Sequence, residues 1–326
     1  MSDGIYIIDF HAHLQGPHGM HRLCPEEQKS PFFQQAAPLI EKVAHLSEPV
    51  HDEFLRFLAL NWRDRLSRFI YGRLGHLGLI ETLRLFKTYG LTRLIHSMDR
   101  QGIQHAVVCS LEPLTTTQEL IELTKSYRHR ISVFASVARD EPDPVKYVMP
   151  FVESGAVTGF KIHPIVGGYA CGELYEKTRA LADLAGQLNF PIVIHTGHIP
   201  VEALNGIEGC NEVQAIEPLV AAFPRVKFVL AHIGWESWRQ VLDLGARYGN
   251  VMVETSWQPA RIIRRAVDRL GPERVVFGSD YPLFRQSLAF RQVRRALSPR
   301  EFVMVTATNA ARLLRLDRKN NDKSVG

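Results

Sequence analysis

Ile7-Ile8-Asp9-Phe10-His11-Ala12-His13, Ile192-Val193-Ile194-His195, Phe228-Val229-Leu230-Ala231-His232 and Val275-Val276-Phe277-Gly278-Ser279-Asp280 decide the fold. Each is an apolar run of the kind that forms a buried parallel strand. Each ends on a side chain that can ligate a metal ion. In a parallel α/β barrel, chemistry gathers where the strands end. Four such ends, far apart in the chain, therefore read as one convergent site.

Working outward, further apolar runs predict strands at 104–110, 131–137, 157–163 and 251–255, beside 5–10, 190–195, 226–231 and 274–279. Helical spacing fills the gaps at 115–127, 143–154, 173–188, 211–223, 235–248 and 259–270, with closing helices at 287–296, 299–305 and 308–315. Strict alternation of strand and helix predicts a parallel sheet with crossover helices. Eight strands make it an α/β fold of the (β/α)8 (TIM) barrel type, in one domain spanning 1–326. Residues 14–95 are too long for an ordinary connection. They read as a helical insertion after the first strand, with Phe54, Leu55, Leu58, Leu66 and Phe69 at helical spacing. Leaving the active end of the barrel, this insert is expected to act as a lid or a homodimer contact.

Hydrophobic residues make up 45% of the chain and charged ones 22%, enough apolar mass for a large core. No apolar run reaches membrane-spanning length, and no signal peptide is visible at Met1-Ser2-Asp3-Gly4. The net charge of +5 is mild, and the Arg261–Arg269 and Arg291–Arg295 clusters read as solvent faces of helices. No basic stripe interleaved with aromatics suggests nucleic acid. The expected partner is a small-molecule substrate. Cys24, Cys109, Cys171 and Cys210 show no CxxC spacing. They predict a reducing, cytoplasmic setting without disulfides, and a buried Cys109.

His11 and His13 lie two apart at a strand end, so both face the barrel mouth while Ala12 faces away. Two core histidines would look the same, but His195 and Asp280 at later strand ends favour a shared divalent cation. A mixed His/carboxylate set suits zinc, and also manganese or iron. Asp280 is a ligand, a general base, or both; a helix N-cap is the plain alternative. His232 is a ligand, a general acid/base or a donor to substrate. Lys161 and His163 share one face of the fourth strand. An inward lysine is costly unless paired. It binds a substrate anion, bridges two metals as a carbamate, or pairs with a carboxylate. His163, Trp257 and Tyr169 stand near strand ends as candidate substrate contacts.

This set, from HxH through the histidines after the fifth and sixth strands to Gly278-Ser279-Asp280-Tyr281-Pro282, resembles the amidohydrolase superfamily. The likeness extends to the closing segment Asn309-Ala310-Ala311-Arg312-Leu313-Leu314. The branch is the amidohydrolase-related one, which includes aminocarboxymuconate-semialdehyde decarboxylase, resorcylate-type decarboxylases, hydratases and hydrolases. The resemblance implies His11, His13, His195 and Asp280 as metal ligands, and His232 as the catalytic histidine or a ligand of a second metal. It places Lys161 where two-metal relatives carry a carbamylated lysine, and so implies one or two Zn2+ ions. The Lys161-x-His163 strand departs from the decarboxylase pattern and tilts the expectation to a hydrolase of an ester, lactone or amide. A decarboxylase or hydratase (a lyase) of an aromatic or unsaturated acid is the alternative. Arg63, Arg65 and Arg68 would then be carboxylate binders. A non-catalytic metal-binding protein is the reading from another class.

Overall fold

The computed structural model describes residues 5–15, 90–197 and 209–316. Within them eight parallel strands run side by side in chain order. They are β1 (Ile7–Ala12), β2 (Ile103–Cys109), β3 (Ile131–Ala135), β4 (Val157–Ile162), β5 (Ile192–Ile194), β6 (Phe228–Leu230), β7 (Val251–Glu254) and β8 (Val275–Val276). The segment after β8 returns to β1. The Phe10 N–H donates to the Phe277 carbonyl (2.8 Å), and the Asp280 N–H to the His11 carbonyl (2.7 Å). The sheet thereby closes as a (β/α)8 barrel, with six strands inside the expected runs and β1 and β2 overlapping theirs.

The crossover helices are α1 (Leu91–Gln101), α2 (Thr117–Thr124), α3 (Pro144–Glu153), α4 (Leu174–Leu188), α5 (Glu217–Ala222), α6 (Trp238–Arg247) and α7 (Ala260–Leu270). α8 (Gln286–Ala296), α9 (Pro299–Val303) and α10 (Asn309–Leu314) complete the ring. Local chemistry sets their ends. Thr116 and Glu119 form a capping box at α2, and Asp143 accepts the Lys146 N–H (3.0 Å) at α3 with Pro144 in the first turn. Along α7, Ile262, Ile263, Ala266, Val267 and Leu270 are buried while Arg261, Arg265 and Arg269 face out. The basic cluster is therefore a solvent face, as its spacing suggests.

The core has two layers. One lies inside the barrel and includes Ile8, Phe10, Val107, Cys109, Phe134, Val193, Val229 and Met252. The other packs strands against helices and includes Ile7, Ala12, Phe160, Ile192, Ile194, Phe228 and Leu230. Each fully buried Val, Leu, Ile or Phe among them contributes about 1.5–3 kcal/mol.

β1 breaks its own alternation. Asp9 pairs with Ala106 and Ala12 with Val108, so three steps on β1 match two on β2. This bulge shifts the phase. Ile8 and Phe10 fill the interior below it, and His11 and His13 point to the same interior above it.

One expectation is overturned. Cys171 and Cys210 form a disulfide with Cα atoms 4.7 Å apart. The loop after β4 packs on the segment that re-enters before α5, where the Cys210 N–H donates to the Tyr169 carbonyl (2.7 Å). That proximity is tertiary, across 39 residues, and leaves no spacing signal. The inference of a reducing compartment loses this support. Cys109 is free and buried, as expected. Nearly all of the 14–95 insertion, with Arg63, Arg65 and Arg68, lies outside the described residues. Among the described residues no helix is long and apolar enough to cross a membrane.

Candidate metal centre

The carboxyl ends of six strands converge. β1 supplies His11 and His13, β4 Lys161 and His163, β5 His195, β6 His232, β7 Glu254, and the segment after β8 Asp280; all are buried. His195 follows from alternation, two past the interior Val193. His232 does not. Val229 and Ala231 face the interior, so an extended residue 232 would face out. Instead His232 (φ 60°), Ile233 (φ 47°) and Trp235 (φ 50°) adopt left-handed backbone, as do Trp257 (φ 61°) and Asp280 (φ 61°). Such conformations cost about 1–3 kcal/mol each for residues with a Cβ, and they persist only where the surrounding structure over-determines them. Among the described residues only Asn189 and Arg315, both at helix C-termini, are other non-glycine cases.

The inner face of the cluster is crowded with nitrogen and oxygen. His11 Nε2 lies 3.0 Å from His13 Nε2 and 3.0 Å from Lys161 Nζ. Asp280 Oδ1 lies 3.2 Å from His13 Nε2 and 3.6 Å from His11 Nε2. His232 Nε2 lies 3.1 Å from His195 Nδ1. Donor atoms of His11, His232 and Asp280 all fall within 4.8 Å of one another.

The outer nitrogens have partners that accept. His11 Nδ1 faces the Glu254 carboxylate (2.9 Å), His13 Nδ1 the Cys109 carbonyl (3.0 Å) and His195 Nε2 the Gly197 carbonyl (3.1 Å). His232 Nδ1 meets Ser256 Oγ (2.6 Å), whose own proton goes to Glu254 Oε2 (2.8 Å). A neutral imidazole has one N–H. With that proton spent outward in each ring, the inner nitrogens present lone pairs to one another and to Asp280. Burial, with Lys161 and the neighbouring histidines, holds His11 well below the usual imidazole range. Burial with His195, and with the other histidines and Lys161, does the same for His232 and His163. Burial also lowers Lys161 towards its neutral amine. Burial pushes the Glu254 carboxyl up to about 8, against the donors converging on it. Neutral imidazoles and an inward carboxylate are the donor set of a divalent cation.

Asp280 is no helix cap: α8 begins at Gln286, and Asp280 Oδ2 accepts Trp257 Nε1–H (2.7 Å). Trp257 stacks between Trp235 (5.1 Å) and Phe284 (5.0 Å). His163 stacks on His195 (3.9 Å, 10°), and its Nδ1 accepts the Val166 N–H (3.1 Å). Tyr169 stands apart from the cluster: its hydroxyl donates to the Val137 carbonyl (2.9 Å) and its ring packs in the core. Glu254 was not among the sequence candidates, although Val251-Met252-Val253-Glu254 carries the same signal of an apolar run ending in a carboxylate. A cavity of about 820 Å³ opens at the opposite end of the barrel, lined by Phe190, Lys227, Arg274 and Arg312, with no histidine or cysteine in its wall.

Residues 88–316 match the family model described as "Amidohydrolase". That span starts after β1, so His11 and His13 are tied to it by the barrel alone. No curated protein matches the chain. Among solved structures, the chain is similar to the 5-carboxyvanillate decarboxylase LigW from Sphingomonas paucimobilis, with 16% identity and a TM-score of 0.63 over 96% of this chain and 99% of that one. It is also similar to a dihydroxybenzoic acid decarboxylase from Polaromonas sp. JS666 with bound manganese and 2-nitroresorcinol (15%, TM-score 0.54, 72% and 89%). A third is a probable 2-pyrone-4,6-dicarboxylic acid hydrolase from Acinetobacter baumannii with citric acid bound (16%, TM-score 0.52, 69% and 88%).

Proposed function

The chain belongs to the amidohydrolase family, and from that premise we propose that it is a metal-dependent hydrolase of a small-molecule ester, lactone or amide. One observation carries this reading: four buried imidazoles spend their outer nitrogens on Glu254, Cys109, Gly197 and Ser256 and turn their inner ones on each other and on Asp280. His11, His13 and Asp280 would hold one divalent ion. His195 and His232, with Lys161 as a carbamate, would hold a second. Zn2+ fits a histidine-rich set with one carboxylate; Mn2+, named with the Polaromonas enzyme, and Fe2+ are the alternatives. When bound, such an ion supplies Lewis acidity and lowers the pKa of water to about 7.

The chain's own groups move the protons. Asp280 Oδ1 takes one proton from the attacking water and delivers it to the leaving oxygen or nitrogen. Trp257 Nε1–H occupies Oδ2 and stops the carboxylate from rotating. His163, with Nδ1 filled by the Val166 N–H, carries its proton on Nε2 and donates a hydrogen bond to a substrate oxygen. His232, with Nε2 inward, serves as a ligand or proton acceptor. Trp257, Trp235 and Phe284 form an aromatic wall suited to a flat substrate.

The test is metal analysis of the purified protein, with turnover on panels of lactones, esters and amides and of carboxylated aromatics. Asp280→Asn is expected to lower kcat by at least about 100-fold while most of the metal stays bound. Full activity in that variant, or in chelated protein, overturns the proposal. The second reading is non-oxidative decarboxylation, favoured by the two decarboxylases among the similar structures. Release of carbon dioxide from a carboxylated aromatic, with no hydrolysis on the other panel, would select it.

A further inference from the structure

We propose that Glu254 is the positioning residue of the centre, holding His11 directly and His232 through Ser256, each with its proton on Nδ1. This rests on the metal-site reading above and adds the group that prepares the ligands.

Glu254 ends β7 on the interior face, two past Met252, and is fully buried. Its Oε2 accepts from His11 Nδ1 (2.9 Å), Ser256 Oγ (2.8 Å) and the His232 backbone N–H (3.2 Å), and its Oε1 from the Ser256 backbone N–H. Its other three contacts are two backbone N–H groups and a hydroxyl, donors that favour the ionised form against the burial that raises its pKa; as a carboxylate it only accepts, so His11 carries its proton on Nδ1. That leaves Nε2, the atom facing His13 and Asp280, as a lone pair. Ser256 has a single hydroxyl proton. With that proton on Glu254, the serine oxygen accepts from His232 Nδ1 (2.6 Å). His232 is therefore also protonated outward, and its Nε2 is bare beside His195. One carboxylate thus sets two tautomers on two strands, the arrangement in which a partner behind a ligand orients it and raises its basicity.

The surrounding chain makes room for this. Glycine at 278 lies against Glu254: a Cβ there would stand 2.6 Å from Glu254 Cδ. The residue two before Asp280 is therefore small where the carboxylate must lie. The hydrogen bond that the His232 backbone N–H donates to Glu254 also holds the left-handed turn that brings that ring inward.

Two variants and two substrate-free measurements test it. Chelator-treated full-length protein is titrated with Co2+ and followed by absorbance, and ring tautomers are read from long-range 1H–15N spectra. Glu254→Gln replaces one acceptor oxygen by an amide nitrogen that faces donors. It is expected to weaken Co2+ binding roughly 10- to 100-fold and to move the His11 proton off Nδ1. Ser256→Ala leaves the His11 contact in place. It is expected to weaken Co2+ binding less than Glu254→Gln does, because only the partner of His232 is lost, while the His232 tautomer shifts. Ser256→Thr, which keeps the hydroxyl, is expected to restore it. A folded Glu254→Gln protein with the wild-type Co2+ Kd and tautomers overturns the inference. Should that variant not fold, Glu254→Asp, which withdraws the carboxylate from His11, decides it by the same criteria. A wild-type protein that binds no Co2+ would instead sink the metal reading itself, and the tautomer spectra of the metal-free protein would still test Glu254.

Discussion

Gly278→Ala places one methyl group against the carboxylate behind the metal centre. Gly278 is not in left-handed backbone, so alanine brings no conformational penalty of its own. The effect is steric. The new Cβ would lie 2.6 Å from both Cδ and Cγ of Glu254, where ordinary contact begins at 3.4 Å. Glu254 is sealed on every side and must withdraw by the better part of an ångström. Its bonds to His11 Nδ1 (2.9 Å) and Ser256 Oγ (2.8 Å) then leave hydrogen-bonding range. Overpacking costs about 1–3 kcal/mol, and a lost charge-assisted hydrogen bond about 1.5–3 kcal/mol. Metal-free Gly278→Ala is expected to melt roughly 5–10 °C below the parent, taking about 2 °C per kcal/mol for a chain of this size. Its Co2+ affinity should also fall about 10-fold or more. Gly186→Ala is the control: in the last turn of α4, its Cβ would meet Val226 Cγ2 at 3.4 Å. It is expected to be neutral or to stabilise by about 0.5–1 kcal/mol. A Gly278→Ala protein with the parent's melting temperature and Co2+ affinity would refute the placement of Glu254.

Trp257→Phe keeps the aromatic stack but removes the Nε1–H that holds Asp280 Oδ2 at 2.7 Å. On the substrate found in the panels, kcat should fall roughly 10- to 100-fold, matching about 1.5–3 kcal/mol for a hydrogen bond to a charged group, with KM nearly unchanged; an unaltered kcat would remove Trp257 from the proton-transfer geometry. Far from the centre, hydrogen bonds from Arg264 and then from Ser298 hold the Glu301 carboxyl down to about 2, from 4.5. A depressed carboxylate contributes stability above 4.5 that is lost as pH falls from 4.5 towards 2. Because the pair is partly exposed, solvent screening leaves about 1 kcal/mol. Glu301→Gln should therefore cost about that much at pH 7 and nothing near pH 2, read from urea unfolding across pH; an equal deficit at both ends would show that the charge plays no part.

The barrel was legible because β-strands buried on both faces leave unbroken apolar runs, and all eight such runs became strands. His195 was legible for the same reason, since it keeps the parity of Val193. Two features follow from tertiary packing and leave no periodic trace. The β1 bulge lets Phe10 and His11 both face inward, against strict alternation. The disulfide joins loops that touch only once β4 and β5 are paired.

His232 is the instructive case. Its apolar run marks a strand end correctly, yet the run's own parity would aim the ring away from the barrel. The ring is recovered by left-handed residues at 232, 233 and 235, a conformation that local preference opposes at histidine, isoleucine and tryptophan alike. The opposing free energy must come from groups that hold the turn. Glu254 binds the His232 N–H, while Gln258 Nε2 donates to the carbonyls of His232 (2.6 Å) and Trp235 (3.2 Å). Both anchors lie on or just beyond β7. A strand that supplies none of the proposed ligands thus fixes the geometry of ligands carried by two others. The apolar run before Glu254 marks it as a strand-end carboxylate, and its role emerges when each inward imidazole is asked where its other proton goes.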